Sequence, residues 1–272
     1  MSSKNNVSFS SYLLIIAILC LTQQFTPAHA FELSAVEENY LKEKGTIVFV
    51  SQTHYPPFEF VGSDGDHTGM CIELARWIAT EFGFKARFID TSFKQAQDAV
   101  LSGNADILTS LFYSKKRDEV FDFTNVMFDV PASIFVIAER PDIKEINDLQ
   151  GKTVAMQAGD YAKEFLEENK ISCSFNYTKS FAEATDLVIA GKADAIIGDE
   201  QIVLYHIFSN NLTKRIKKVG KPLYIGQNCM AARGPNPILV GIINKGIELA
   251  QEKGVLDQIY KKWIGISCLG NS

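Results

Sequence analysis

Two charged residues, far apart in the chain, have the types needed to hold a small zwitterion. Arg117 lies in Ser114-Lys115-Lys116-Arg117-Asp118-Glu119. A guanidinium makes paired hydrogen bonds to a planar carboxylate, which a lysine ammonium cannot do. Asp199 closes the apolar run Ala195-Ile196-Ile197-Gly198, and its carboxylate suits a ligand ammonium. Each has a plainer reading. Arg117 sits in a charge run of the kind that solvates a helix start, as Lys115 and Lys116 do. An Asp between a strand and a helix is a common N-cap. Tyr55-Pro56-Pro57-Phe58 is a loop stiffened by proline that presents flat rings for stacking, although Phe58 also suits a core. Gln157-Ala158-Gly159-Asp160-Tyr161 joins a strand to a helix, where free N–H groups bind anions. Asp160 can satisfy those amides itself.

Other chemistries find less support. Gly151-Lys152-Thr153 has Ile146 where a phosphate loop needs glycine. His67 and Cys71 are spaced so that they could share a helix face, but two ligands do not make a metal site. The histidines fall in no nucleophile arrangement. No metal or cofactor is expected.

The elements that must position these groups come in two similar copies. Ser92-Phe93-Lys94-Gln95-Ala96-Gln97-Asp98-Ala99-Val100-Leu101-Ser102-Gly103-Asn104-Ala105-Asp106-Ile107-Leu108 matches Ser180-Phe181-Ala182-Glu183-Ala184-Thr185-Asp186-Leu187-Val188-Ile189-Ala190-Gly191-Lys192-Ala193-Asp194-Ala195-Ile196. Each copy predicts a helix, a glycine that stops it, and a strand. The spacing is too long for a solenoid, so the copies imply two similar lobes. In open α/β sheets ligands bind beyond the carboxyl ends of strands. The first copy delivers Thr109-Ser110-Leu111-Phe112 there and the second Gly198-Asp199-Glu200. Strands are also predicted at residues 46–50 and 153–156. Helices are predicted at 70–82, 160–169, 238–252 and 255–263. Strand-like crossings at 133–138 and 227–232 make a hinge, with the second lobe inserted in the first. The expected organisation is a leader over 1–30, lobe 1 over 31–135, lobe 2 over 136–228 and a return to lobe 1 over 229–272.

The chain has 272 residues, of which 46% are hydrophobic and 22% charged, with a net charge of −5. That composition excludes a disordered chain, and the acidic balance argues against a nucleic-acid binder. An apolar run from Tyr12 to Leu21, then Ala28-His29-Ala30, predicts a secretory leader cut after Ala30. Leu19 before Cys20 argues against a lipid anchor. Export permits disulfides. Cys229 with Cys268 is one expected pair, against the alternative that the cysteines are small buried hydrophobes.

Taken in order, these residues resemble the family 3 extracellular solute-binding proteins. The marks are Tyr55-Pro56-Pro57-Phe58-Glu59-Phe60; Gly69 with Ile72-Glu73-Leu74; Gly103-Asn104-Ala105-Asp106; Arg117 with Phe121-Asp122-Phe123-Thr124; Asp148-Leu149-Gln150-Gly151-Lys152; Gly191-Lys192-Ala193-Asp194; Asp199-Glu200; and Tyr260-Lys261-Lys262-Trp263. The resemblance implies a two-lobed type II periplasmic binding fold of the α/β class. It implies a monomer in the periplasm that captures an amino acid or similar zwitterion for an ABC permease. A membrane sensor as partner and a cyclohexadienyl dehydratase of the same fold are the alternatives; in the latter, Asp199 or Glu200 would be the acid. By the resemblance, Arg117 meets the ligand α-carboxylate and Asp199 the α-ammonium. Tyr55 covers the side chain, Ser110 contacts the amino group, and Gly159, Asp160 and Tyr161 form the second-lobe helix start. The sequence departs from the family at Phe112, where Ser or Thr is usual, at Tyr161, and at Met70-Cys71 in place of an apolar–acid pair. Phe112 and Tyr161 make the expected cleft more aromatic.

Overall fold

The computed structural model describes residues 31–265. The expected leader, its cleavage site and Cys268 lie outside the described residues. The chain starts with helix α1 (Ala35–Lys44), strand β1 (Thr46–Gln52) and a small antiparallel sheet of β2 (His54–Tyr55), β3 (Glu59–Val61) and β4 (His67–Thr68). Then come α2 (Met70–Glu81), β5 (Lys85–Thr91), α3 (Phe93–Leu101), β6 (Ile107–Phe112), the short α4 (Lys115–Asp118) and β7 (Phe121–Phe123). Strand β8 (Phe128–Ile137) leads into the second lobe. That lobe holds β9 (Thr153–Gln157), α5 (Ala162–Glu168), β10 (Ser174–Thr178), α6 (Phe181–Ile189), β11 (Ala195–Asp199) and α7 (Glu200–Ser209). Strand β12 (Ile216–Arg233) returns, and α8 (Pro237–Glu252) and α9 (Val255–Ile264) complete the first lobe. Among the described residues, no helix is long and apolar enough to cross a membrane.

The strands run in the order β10-β9-β11-β8-β12-β6-β1-β5, with β7 also on β12. Within each lobe β1, β5 and β6, or β9, β10 and β11, pair in parallel, as strands joined by crossover helices do. The antiparallel pair β8–β12 joins the halves. From Ile216 to Asn228 strand β12 pairs with β8, and from Asn228 to Arg233 with β6 and β7. The crossing segments expected at 133–138 and 227–232 are parts of these longer strands. Lobe 2 packs Val154, Met156, Leu166 and Ile197 around its own core. In lobe 1 the inward face of α2 is Cys71, Leu74, Ala75 and Ile78, all fully buried. The return segment is tied to that helix where Trp263 Nε1 donates to Glu73 Oε1 at 3.1 Å.

The repeat has a shared physical cause. Gly103 and Gly191 take φ of +80° and +68°, the left-handed conformation that ends a helix at little cost only without a Cβ. The aspartate three residues on is a backbone clamp. Asp106 Oδ2 accepts from the Val48 N–H at 2.8 Å, and Asp194 Oδ2 from the Thr153 N–H at 2.7 Å. In each lobe that bond fixes where one strand starts against its neighbour. The register in turn sets which residues emerge at the carboxyl end.

Under that end in lobe 1 lies Glu59, with no exposed surface. Its Oε1 accepts from the Gln52 N–H at 2.9 Å, and its Oε2 is hydrogen-bonded to Thr109 Oγ1. Thr109 Oγ1 also lies 3.1 Å from the Val50 carbonyl oxygen. Thr109 has one hydroxyl hydrogen, and an ionised Glu59 and a carbonyl both only accept. A protonated Glu59 resolves the count: it donates to Thr109, which donates to Val50. Burial pushes the Glu59 carboxyl up to about 8, against smaller opposing effects from Thr109 and Gln52. Glu59 therefore acts as a neutral cross-brace between β1, β3 and β6.

The sign of the pH effect follows. The folded protein holds this proton up to about pH 8, whereas the unfolded chain loses it near 4.5. Between those values the native state binds more protons, so the stability from this group is full below about 4.5 and falls as pH rises toward 8. The loss is on the order of several kcal/mol. Glu59→Gln mimics the protonated acid. In urea melts it is expected to remove this downward slope and to exceed the parent in stability at alkaline pH. Parallel pH profiles for parent and variant would sink the assignment.

Candidate functional site

The ends of β6 and β11, with the loops after β1 and β9, converge on one cleft. It is lined from lobe 1 by Gln52, Tyr55, Phe93, Ser110, Leu111, Phe112 and Arg117, and from lobe 2 by Gln157, Asp160, Tyr161 and Asp199. The remaining space is about 10 Å³, close to what one water needs. Seven of the nine residues singled out from sequence line it. Phe58 does not: it is buried behind Tyr55, stacked at 5.5 Å between ring centroids, with Phe128 on its other side at 5.8 Å. Gly159 contributes its carbonyl to the cleft-spanning bonds described below.

Asp199 is the N-cap of α7, but its side chain makes no cap bond. It is 2% exposed. The Tyr55 hydroxyl donates to its Oδ2, and Oδ1 is buried with no partner. Burial first, then the neighbouring charge of Asp160, push the Asp199 carboxyl well above the ordinary range. Burial and the same carboxylate push the Tyr55 phenol up as well. An uncapped, unpaired buried carboxylate is costly, so helix capping alone does not account for Asp199.

Arg117 is turned inward, while Lys115 and Lys116 are exposed. Its Nη1 donates to the Phe112 carbonyl at 2.7 Å and its Nη2 to the Gly159 carbonyl of the other lobe at 2.9 Å. The guanidinium carbon lies 5.9 Å from the Tyr161 ring centroid, within cation–π reach. Burial is the largest influence on this group and pulls its pKa down, opposed by Asp160 and Glu164. Among the described residues it makes no ion pair.

Phe112 behaves differently from its side-chain type. A Cβ built on Gly226 would stand 2.2 Å from its ring. The ring therefore occupies the space left by that glycine in β12, and the backbone carbonyl serves Arg117. Asp160 answers the question left open at the helix start, because its Oδ1 accepts from the Ala162 N–H at 2.7 Å. The amides there are partly satisfied by the chain itself. Ser110 Oγ donates to Asn228 Oδ1 at 2.9 Å.

Several participants, Gln52, Tyr224 and Asn228, have no local sequence signal. Gln157, which opens the loop already singled out, bonds Gln52 Oε1 through its Nε2 across the cleft at 2.8 Å. Tyr224, on β12, stands edge-on to Tyr161 at 5.1 Å, and its hydroxyl has no partner. Asn228 Nδ2 is also buried without a partner. Phe93 was within reach of sequence reasoning, as the Ser-Phe that opens the repeat. Cys229 is buried, with its Sγ 3.6 Å from the Gln227 carbonyl.

Residues 47–266 match the bacterial extracellular solute-binding proteins, family 3. The L-cystine-binding protein TcyJ of Escherichia coli K12 is 27% identical over 230 residues, 84% of this chain and 85% of its own. A histidine kinase sensor domain with similarity to periplasmic binding proteins superposes with TM-score 0.76 at 28% identity, covering 82% of this chain and 97% of that one. An ancestral arginine-binding protein bound to glutamine superposes with TM-score 0.75 at 28% identity, covering 82% and 99%.

Gly159 is where lobe 1 docks on lobe 2. Its carbonyl accepts from Gln97 Nε2 at 3.2 Å as well as from Arg117. Its φ is +84°, and a Cβ there would meet Gln97 Nε2 at 2.8 Å. Gly103 has φ +80° with nothing within 4 Å. Gly159→Ala and Gly103→Ala are therefore expected to lose similar backbone stability, about 1 kcal/mol. Only Gly159→Ala should also displace the Gln97 amide, the free end of a flexible side chain, from the Gly159 carbonyl and so loosen the docking of the lobes. X-ray scattering with added amino acids is the measurement, and equal compaction of both variants would refute this docking role.

Proposed function

The chain belongs to family 3 of the bacterial extracellular solute-binding proteins, and from that premise we propose that it binds an α-amino acid in the cleft between its lobes and hands it to a membrane permease of the ABC type. One observation carries this reading. An inward-turned guanidinium with no ion pair among the described residues and a buried carboxylate with an orphan oxygen line the same cleft from opposite lobes. A zwitterion is one molecule that neutralises both. The ligand carboxylate would take N–H groups of Arg117 not used by Phe112 and Gly159. The ammonium would reach Asp199 Oδ1 and draw its carboxyl back to the charged form. Tyr55 and Tyr161 would close over the rest. The relatives named for cystine, arginine and glutamine share this amino-acid head.

Binding is favoured over catalysis. A dehydratase needs a cleft acid beside its substrate; Glu200 is engaged elsewhere, hydrogen-bonded to Ser133 and to Lys218 at 3.0 Å, Asp199 is the group this reading gives to the ligand ammonium, and the named relatives are binding proteins. Sensing without transport is the second reading, supported by the likeness to a kinase sensor domain. The periplasm is the compartment this function requires.

Arg117→Ala is expected to weaken amino-acid binding by about 30-fold to several thousandfold, the cost of stranding one partner of a desolvated charge pair. Asp199→Asn should lose binding in the same direction. Lys116→Ala, on the exposed side of the turn, should stay within about threefold, as surface changes do. A thermal-shift screen of the common amino acids finds the ligand first, since 100 times Kd adds about 2.7 kcal/mol. Calorimetry then ranks the variants. If Arg117→Ala binds as the parent does, the reading fails.

A further inference from the structure

The chain carries a net charge of −5, yet no acidic residue occurs between Glu200 and Glu248. Cations in that interval gather where α7 turns into β12, at Lys214, Arg215, Lys217, Lys218 and Lys221. From Ile216 to Val219 strand β12 pairs with β8 and, among the described residues, with no other strand. This half of β12 is therefore the free edge of the lobe 2 sheet. Lys218 is paired with Glu200 at 3.0 Å. Lys214, Arg215, Lys217 and Lys221 make no ion pair among the described residues. Strand pairing brings one acid alongside, Glu139, because the Ala138 N–H donates to the Arg215 carbonyl at 2.8 Å. One carboxylate does not offset the cluster.

Lysines on an edge strand have a plain use, since they discourage pairing with a second sheet. Two neighbours do not fit that use. Tyr205 and Phe208 stand three residues apart, on one face of α7, and are 49% and 65% exposed. The turn after them is tight: the Leu212 N–H donates to the Ile207 carbonyl and the Arg215 N–H to the Leu212 carbonyl, both at 2.8 Å. Two large rings are thus left in water close to unpaired cations. A guard against association would not expose them.

We propose that this edge of lobe 2 rests on a membrane of anionic phospholipid, with the cations at the headgroups and Tyr205 and Phe208 in the interfacial layer. Aromatic side chains gain by entering the boundary between headgroups and acyl chains, and Lys and Arg keep their charged ends at the phosphates on long apolar stems. Among the described residues these four cations have no carboxylate orienting them. That suits a fluid layer of phosphates better than the fixed charges of an acidic protein face. None of Tyr205, Phe208, Lys214, Arg215, Lys217 and Lys221 lines the interlobe cleft, so the contact leaves ligand capture free. A protein held this way searches a surface rather than a volume for its permease. The lipid contact itself does not depend on what the cleft binds.

Co-sedimentation with vesicles tests this, comparing pure phosphatidylcholine with a mixture holding about 30% phosphatidylglycerol at low and at physiological salt. The parent is expected on the anionic vesicles only, and more weakly as salt rises. Each Lys or Arg at such a surface is worth about fivefold in affinity, so Lys214→Glu with Arg215→Glu should weaken binding by about 30-fold or more. Phe208→Ser should weaken it by about threefold or more. Lys42 and Lys85 are exposed on lobe 1; Lys42→Glu with Lys85→Glu changes the net charge equally and should stay within about twofold. Circular dichroism checks that each variant is folded. A parent that ignores anionic vesicles at low salt, or binds neutral ones as well, overturns the proposal. So do equal losses in the two double variants, or a Phe208→Ser that binds as the parent does.

Discussion

The positive charge of Arg117, turned inward with no ion pair among the described residues, is the constraint on which the cleft depends. Taking such a charge out of water costs several kcal/mol, and hydrogen bonds to neutral carbonyls repay only part of that. The two carbonyls come from different lobes, Phe112 and Gly159. The cost of burying the charge is therefore linked to closure, since separating the lobes would remove one acceptor. Asp160 and Asp199 lie nearby; burial pushes both carboxyls up, and for Asp199 the neighbouring Asp160 adds to the effect. The closed cleft is thus a set of charges whose protein partners are incomplete, the condition a binding site needs if ligand is to gain from entering it.

The groups that hold these charges in place lie in the surrounding framework. Glu59 gives up its own charge to brace three strands in the lobe 1 floor. Asp106 and Asp194 set strand register through backbone bonds. Gly159 and Gly226 act by having no side chain: one lets a helix of the opposite lobe approach, the other accommodates an aromatic ring. The departure at Phe112 is therefore less disruptive than its side-chain type suggests. The ring goes to β12, while the backbone carbonyl still orients Arg117. Tyr161 does face the cleft, and it contributes a ring face to the guanidinium.

The sequence by itself determined the paired helix–glycine–strand units, the helices and most of the strand positions, because periodicity, glycine stops and N-caps act over a few residues. It also determined which residue types stand at the carboxyl ends of β6 and β11, and so pointed to Arg117 and Asp199. It left open whether each was a ligand group or a solvated charge and a cap. Only the tertiary structure decided that the guanidinium is turned inward and that Asp199 makes no cap bond. Only there does Asp160 satisfy the Ala162 amide and Phe58 lie behind Tyr55. Tyr224 and Asn228 carried no signal, since their place in the site comes from the pairing of β12 with β6 and β8, elements distant in the chain. The physical reason is range. Backbone preference is local, whereas desolvation and the choice of hydrogen-bond partner depend on what distant segments bring alongside.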